Sequence, residues 1–274
     1  MGHQKSQQTS PKLSGPQQSS PHRGTLFIVG TPIGSLDDLT IRARTVLGEV
    51  SLVVAETPLA TRALLDFHGI TTTITGYERG DEDRIAILLD RLNAGHNLAL
   101  VSDSGMPVIF DPGRLLIAAA RASGHRVTVV PGPSAVTAAA ALSGESADRL
   151  LFVGRLPRSV PQLDQFFKTL RGEAGTTVMF APCSALPRIL ERIRRVLPNR
   201  TVTLAINMTT PSEQLCRGDA ATLLAQANSF SKDSEMTLLL SGARKGRTRV
   251  TAAGSSRGRR RQRALGTTPR GLRS

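Results

Sequence analysis

At 274 residues, with 39% hydrophobic and 3% aromatic residues, the chain can form one large domain or two ordinary ones around apolar cores. Its net charge of +14 points first to nucleic acid, but eleven of the 35 Lys and Arg and none of the acids fall in residues 242–274, leaving 24 bases against 21 acids before them. No apolar run reaches the roughly 18 residues of a bilayer span, so no membrane partner is expected. Cys183 and Cys216 lack the paired spacing of a zinc site or a disulfide framework, which predicts no metal and a reducing, cytoplasmic setting.

Residues 1–23 are rich in Gln, Ser and Pro, lack the apolar core of a signal peptide, and read as a disordered leader. A strand at 25–29 runs into the turn Gly30-Thr31-Pro32-Ile33-Gly34-Ser35-Leu36, after which Asp37 or Asp38 is expected to cap a helix over about 39–47. A second strand, 51–55, delivers the segment Glu56 to Arg62, followed by a short helix at 63–68 that Gly69 stops. A strand at 74–77 comes next, and Ile85, Leu88, Leu89 and Leu92 recur at helical spacing up to Gly95. The apolar run 98–101 then breaks into Ser102-Asp103-Ser104-Gly105-Met106-Pro107-Val108-Ile109-Phe110-Asp111-Pro112-Gly113, ahead of a helix at 115–122. A strand at 127–130 opens directly into Pro131-Gly132-Pro133-Ser134-Ala135 and a further helix to 142.

This alternation predicts an α/β fold with a mostly parallel sheet. Loops at the carboxyl ends of such strands form a ligand crevice, and glycines let the main chain approach what binds there. Composition places a boundary at Ser143-Gly144-Glu145-Ser146, giving an N-terminal α/β domain over 24–143. The pattern then restarts as a second α/β domain over 144–242. Its strands are expected at 150–153, 176–180, 202–206 and 236–240, and its helices at 162–170, 186–196 and 220–227. Residues 243–274, dominated by Arg, Gly, Ser and Thr, read as a basic disordered tail.

The block SDSGMPVIFDPG, followed by VVPGPSA, resembles the SDAGTP-x-I-x-DPG and PGPSA blocks of the tetrapyrrole methylase superfamily. GTPIGSLDDLT, GRLPRS and SEMTL resemble further blocks of the family that 2′-O-methylates a cytidine ribose in 16S ribosomal RNA. The resemblance covers about residues 25–242. It implies the class III methyltransferase fold, two α/β domains with the cofactor cleft between them, and S-adenosyl-L-methionine as cofactor. The acceptor it implies is 16S rRNA within the 30S subunit, and the assembly a homodimer. Carried onto this sequence, the cofactor-binding candidates are Pro32, Ser102, Asp103, Gly105, Met106, Pro107, Pro131, Ser134 and Ala135. Asp103 can also cap its own loop, and Ser134 the following helix.

Glu56, matching the glutamate of A-E-D-T-R, is the candidate catalytic carboxylate. Arg62, Arg155, Arg188 and Arg192 are the candidate RNA contacts, whose alternative role is a solvated helix face. The sequence departs from the family at Thr57 and Leu59, where Asp and Arg are usual, and at Gly30 and Met106, where Pro and Thr are usual. The charged residues of Y-E-S-x-H-R and A-R-E-L-T-K are absent from residues 180–186 and 205–210. Another small-molecule or protein methylase of the same fold, or a non-catalytic paralogue that binds cofactor or ribosome, are the alternatives these departures leave open.

Overall fold

The computed structural model describes residues 23–78 and 80–243. The leader and tail expectations lie outside the described residues except at their inner edges. There Arg23 donates to the Ser123 carbonyl and the Ala243 amide donates to the Glu173 carbonyl at 2.7 Å, so both edges are fastened to the fold.

The first sheet holds β1 (Thr25–Val29), β2 (Leu52–Ala55), β3 (Ile74–Gly76), β4 (Leu98–Val101) and β5 (Arg126–Val130) in the order β3-β2-β4-β1-β5, every pair parallel. β4 is apolar throughout because both of its faces are covered. Ala99 and Val101 join Ala43 of α1 (Ile41–Glu49) and Leu65 of α2 (Pro58–Phe67) in one cluster. Leu98 and Leu100 join Leu88 and Leu92 of α3 (Glu82–Asn93) and Leu116 of α4 (Arg114–Ala122) in the other. This division follows from the handedness of crossovers. The chain steps from β1 to β2 to β3 in one direction with its helices on one face. It then returns through β4 to β5 in the other direction with its helices on the opposite face. Adjacent strands β1 and β4 therefore send their loops opposite ways, which makes their carboxyl ends the switch point where open α/β sheets hold ligands.

Two local expectations are corrected. α1 is capped by Thr40, whose Oγ1 accepts from the Ala43 amide at 3.1 Å, while Asp37 and Asp38 lie in a preceding 3-10 turn. α2 starts at Pro58, five residues earlier than expected, because proline suits the first helical position.

The second sheet is mixed, in the order β6-β7-β10-β8-β9, from β6 (Leu150–Arg155), β7 (Thr176–Phe180), β8 (Val202–Ile206), β9 (Gln214–Gly218) and β10 (Met236–Leu240). β9 was not expected, since QLCRG is a mostly exposed edge strand without an apolar face. β10 runs antiparallel to both β7 and β8, with Met236 opposite Ile206 and Thr237 opposite Phe180. The start of β10 thus lies at the edge where β7 and β8 end.

One face packs on α6 (Val160–Thr169), α7 (Leu186–Val196) and α8 (Ala220–Gln226). α7 buries Leu186, Ile189, Leu190, Ile193 and Val196, a single apolar stripe at helical spacing. The other face is covered by α5 (Ala135–Ser143), whose Ala139 and Ala140 meet Val178, Ala205 and Leu239 together with Ile33. α5 follows the last strand of the first sheet yet packs on the second, and Ile33 crosses the same way. One apolar cluster therefore draws residues from both halves, beside the clusters that each half builds for itself.

Candidate active site

Three loops meet at the carboxyl ends of β1, β4 and β5. The Gly30 amide donates to the Val130 carbonyl at 3.0 Å, the Thr31 amide to the Gly105 carbonyl at 2.9 Å, and the Gly105 amide to the Pro32 carbonyl at 3.3 Å. The Gly105 carbonyl also accepts from Thr31 Oγ1 at 3.2 Å and from Ser102 Oγ at 3.3 Å. Gly105 has φ +79°, and a Cβ built there would make only ordinary contacts, so it is the backbone conformation and not space that calls for glycine. Beyond it the loop holds Val108 at φ 74° and Phe110 at φ 79°. Left-handed conformations at a β-branched and an aromatic residue cost on the order of 1–3 kcal/mol each and are kept where the surroundings over-determine them. Phe110 lies against Gly154, where a Cβ would sit 2.9 Å from its ring, and beneath the Arg155 guanidinium, 4.9 Å from the ring centroid. The first-sheet loop is thereby docked onto the second sheet.

Two adjoining cavities open at this edge. The larger, about 520 Å³, lies between Gly105, Met106 and the start of α5 on one side and Ala181, Ile189 and Met208 on the other. The smaller, about 440 Å³, lies between Pro32, Ser102 and Asp103 on one side and Ala60, Leu64 and Asn207 on the others. Both fall in the size range of small-molecule sites. The α5 N-terminus at Ser134 and Ala135 faces the larger cavity, and Ser134 makes no side-chain cap, so first-turn amides are left for an anionic group. The apolar walls, the exposed main chain and this anion-seeking end suit an adenosine bearing an amino-acid tail.

The structure sorts the expected residues. Gly105, Met106, Ser134 and Ala135 line the larger cavity, and Pro32, Ser102 and Asp103 the smaller. Pro107 and Pro131 line neither. They shape the loops: Pro107 is buried behind Met106, and Pro131 follows the last residue of β5. Asp103 accepts from the Thr57 amide at 3.0 Å and Thr57 Oγ1 at 2.6 Å, so its carboxylate fixes the start of α2. Glu56 lines neither cavity; the chain turns there into α2.

Arg62 lines neither cavity either. Its guanidinium is bound to Asp66 Oδ1 at 2.8 Å, to the Thr72 carbonyl at 3.1 Å and to the Ile70 carbonyl, closing the turn after α2. Arg192, mostly buried, pairs with Asp164 at 3.5 Å and joins α6 to α7. Arg155 and Arg188 do line the larger cavity, with Arg158 beside them.

Sequence reasoning passed over Glu235. It is exposed, and it lines both cavities at the start of β10. Although water reaches it, the protein packed around it raises its carboxyl above the ordinary glutamate value. The signal was an acid placed directly ahead of the apolar run MTLLL. Its position at the cleft depends on β10 running antiparallel to its neighbours.

Several solved structures share this architecture. A cobalt precorrin-4 methyltransferase of cobalamin biosynthesis aligns with a TM-score of 0.62 at 17% identity, over 79% of this chain and 94% of that one. A uroporphyrin-III C-methyl transferase from Thermus thermophilus, complexed with S-adenyl homocysteine, aligns with a TM-score of 0.55 at 18% identity, over 80% and 97%. The fold is that of the class III methyltransferases. Residues 25–224 match the Tetrapyrrole (Corrin/Porphyrin) Methylases. Among curated proteins, ribosomal RNA small subunit methyltransferase I of Thermotoga maritima is 38% identical over 220 residues, 80% of this chain and 99% of that protein. Its counterpart from Xylella fastidiosa is 37% identical over 80% of this chain and 82% of its own length. The chain belongs to the tetrapyrrole methylase family and, within it, to the ribosomal RNA small subunit methyltransferase I group.

Proposed function

We propose that this protein transfers a methyl group from S-adenosyl-L-methionine to a cytidine ribose 2′-hydroxyl of 16S rRNA within the 30S subunit. The observation that carries the reading is a pair of adjoining cavities at the β1/β4 switch point, in a chain of the small-subunit rRNA methyltransferase family. The larger cavity takes the cofactor. Gly105, Met106, Ser134 and Ala135 hold it there, and the first-turn amides of α5 receive its carboxylate. The bound cofactor supplies a methyl group activated by a sulfonium.

The smaller cavity takes the ribose, between Pro32, Ser102 and the Asp103–Thr57 link on one side and α2 on the other. Holding acceptor and donor in line supplies most of what such a displacement needs, since orientation alone is worth about 7–11 kcal/mol. Ile33, Met106 and Met208 present apolar surface that keeps bulk water from the reacting groups. Arg155, Arg158 and Arg188 form the cationic wall that supports an RNA phosphate contact. A cytoplasmic homodimer completes the reading; sedimentation of the purified chain tests the assembly.

The test is label transfer from S-adenosylmethionine to 30S subunits lacking the modification, with 50S subunits and naked RNA as controls. Label confined to 16S rRNA supports the reading. Label in 50S RNA, or in no RNA while the cofactor binds, refutes it.

A further inference from the structure

Three residues, Ile33, Ser104 and Glu235, line both cavities, and of these only Glu235 is ionisable. Its main chain is held on both sides. The Asn207 amide donates to the Glu235 carbonyl at 3.0 Å, and the Glu235 amide donates to Asn207 Oδ1 at 3.0 Å. Asn207 Nδ2 donates in turn to Ser212 Oγ and Ser234 Oγ at 3.1 and 3.2 Å. Asn207 has φ 48°, a conformation asparagine tolerates better than most residues. The residue is thus pinned where the cavities join, while its carboxylate has no hydrogen-bond or ion-pair partner among the described residues.

The other acids nearby have different employment. Asp103 binds Thr57, and Glu213 Oε2 accepts from the Thr209 amide at 2.7 Å. Asp111 lines only the larger cavity.

We propose that Glu235 is the general base of the transfer, its carboxylate accepting the proton of the acceptor hydroxyl as the methyl group crosses between the cavities. The role rests on the assignment of donor and acceptor to the two cavities made above. The hydroxyl oxygen forms its bond to the methyl carbon while the O–H proton moves to a Glu235 oxygen. The electron pair of the broken carbon–sulfur bond stays on sulfur, which becomes a neutral thioether. Glu235 then releases its proton to water.

A carboxylate kept partly from water is a stronger base than one in solution, which suits a weakly acidic hydroxyl. The charged groups that share its cavities are Asp103 and Asp111 from the β4 loop and Arg155 and Arg158 from the β6 loop. Arg188 of α7 adds a third cation, and Lys232 and Asp233 precede Glu235 on its own segment. Burial and not any one of these charges is what raises its carboxyl.

The experiment compares the full chain with Glu235→Gln and Glu235→Asp, using S-adenosylmethionine and undermethylated 30S subunits across pH. The Gln variant is expected to bind S-adenosylhomocysteine within about twofold of wild type and to lose about 10²–10⁴-fold in kcat/KM, together with the acid limb of the pH profile. The Asp variant keeps that limb at intermediate activity. The cofactor-free melting temperature gives a readout independent of turnover. A carboxyl raised in the folded state stabilises only while protonated, and this contribution is lost as pH rises through the folded value, so above it the Gln variant melts no lower than wild type. A Gln variant that is active within about threefold and keeps the acid limb, beside an active wild type, overturns the role alone. A Gln variant melting several degrees lower at pH 8 marks a structural residue and overturns it too. A wild type that binds cofactor but methylates no 30S RNA overturns the acceptor reading first, and this role with it.

Discussion

Replacing Gly30 with alanine tests the joint between the β1 and β5 loops. A Cβ at residue 30 would lie 2.6 Å from Met106 Sδ and 2.8 Å from both Cα and N of Gly132, and one at Gly132 would lie 2.8 Å from the Gly30 carbonyl oxygen. Heavy atoms at rest sit about 3.5–4.0 Å apart. The Met106 side chain can swing away, but the Gly132 main chain can move only by straining the hydrogen bond from Gly30 to Val130, 3.0 Å long. Overpacking of this kind costs about 1–3 kcal/mol. At about 2 kcal/mol, a protein of this size loses about 4–8 °C in Tm.

Because Met106 and Ser134 line the cofactor cavity on either side of this joint, affinity for S-adenosylhomocysteine should fall with stability. Adding Met106→Ala removes the sulfur contact and not the backbone one, so the double variant should recover less than half of the loss. The family blocks that these segments resemble have proline and threonine where this chain has Gly30 and Met106, which places bulk on the other side of the contact. Gly30→Pro should accordingly be tolerated better beside Met106→Thr than alone. Scanning calorimetry and titration calorimetry read both quantities. A Gly30→Ala protein within about 1 °C of wild type, at unchanged affinity, would mean that the joint accommodates a Cβ without strain.

Asp103→Asn weakens two charge-assisted hydrogen bonds at the exposed start of α2; it should cost about 1 kcal/mol by urea denaturation and loosen amide exchange over 57–61. Leu238→Ala, in a fully buried residue of the second core, should cost about 2–5 kcal/mol in the same assay. Arg62→Ala should lower stability without changing the salt dependence of RNA binding, because its guanidinium is bound within the fold. Arg188→Ala should do the reverse, lowering the slope of log K against log salt by about 0.7–0.9 at little cost in stability.

The strands of both sheets other than β9 were legible because each is a short, largely apolar run between turn residues, and continuous apolarity in Leu98–Val101 already signalled burial on two faces. The three ligand loops were legible from their glycines and prolines. Strand direction was not: nothing within Met236–Leu240 tells that it runs against β7 and β8, and that reversal brings Glu235 to the cleft. Glu56 was favoured for its place beside a motif, while the cavity walls are set by which strand ends share an edge. Arg62 and Arg192 look like surface cations in sequence, yet their partners, the turn at Ile70–Thr72 and Asp164, are recognisable only in three dimensions. α5 read as part of the first half because it follows β5 directly, but its alanine face suits close packing under the second sheet.

The proposed function has the two cavities bring S-adenosylmethionine to a ribose hydroxyl of small-subunit RNA. It is tested most directly by digesting 16S rRNA from treated, previously undermethylated 30S subunits to nucleosides and identifying the methylated product by mass spectrometry. One new product is expected, 2′-O-methylcytidine. A base-methylated nucleoside, or a methyl group recovered on protein instead of RNA, would contradict it.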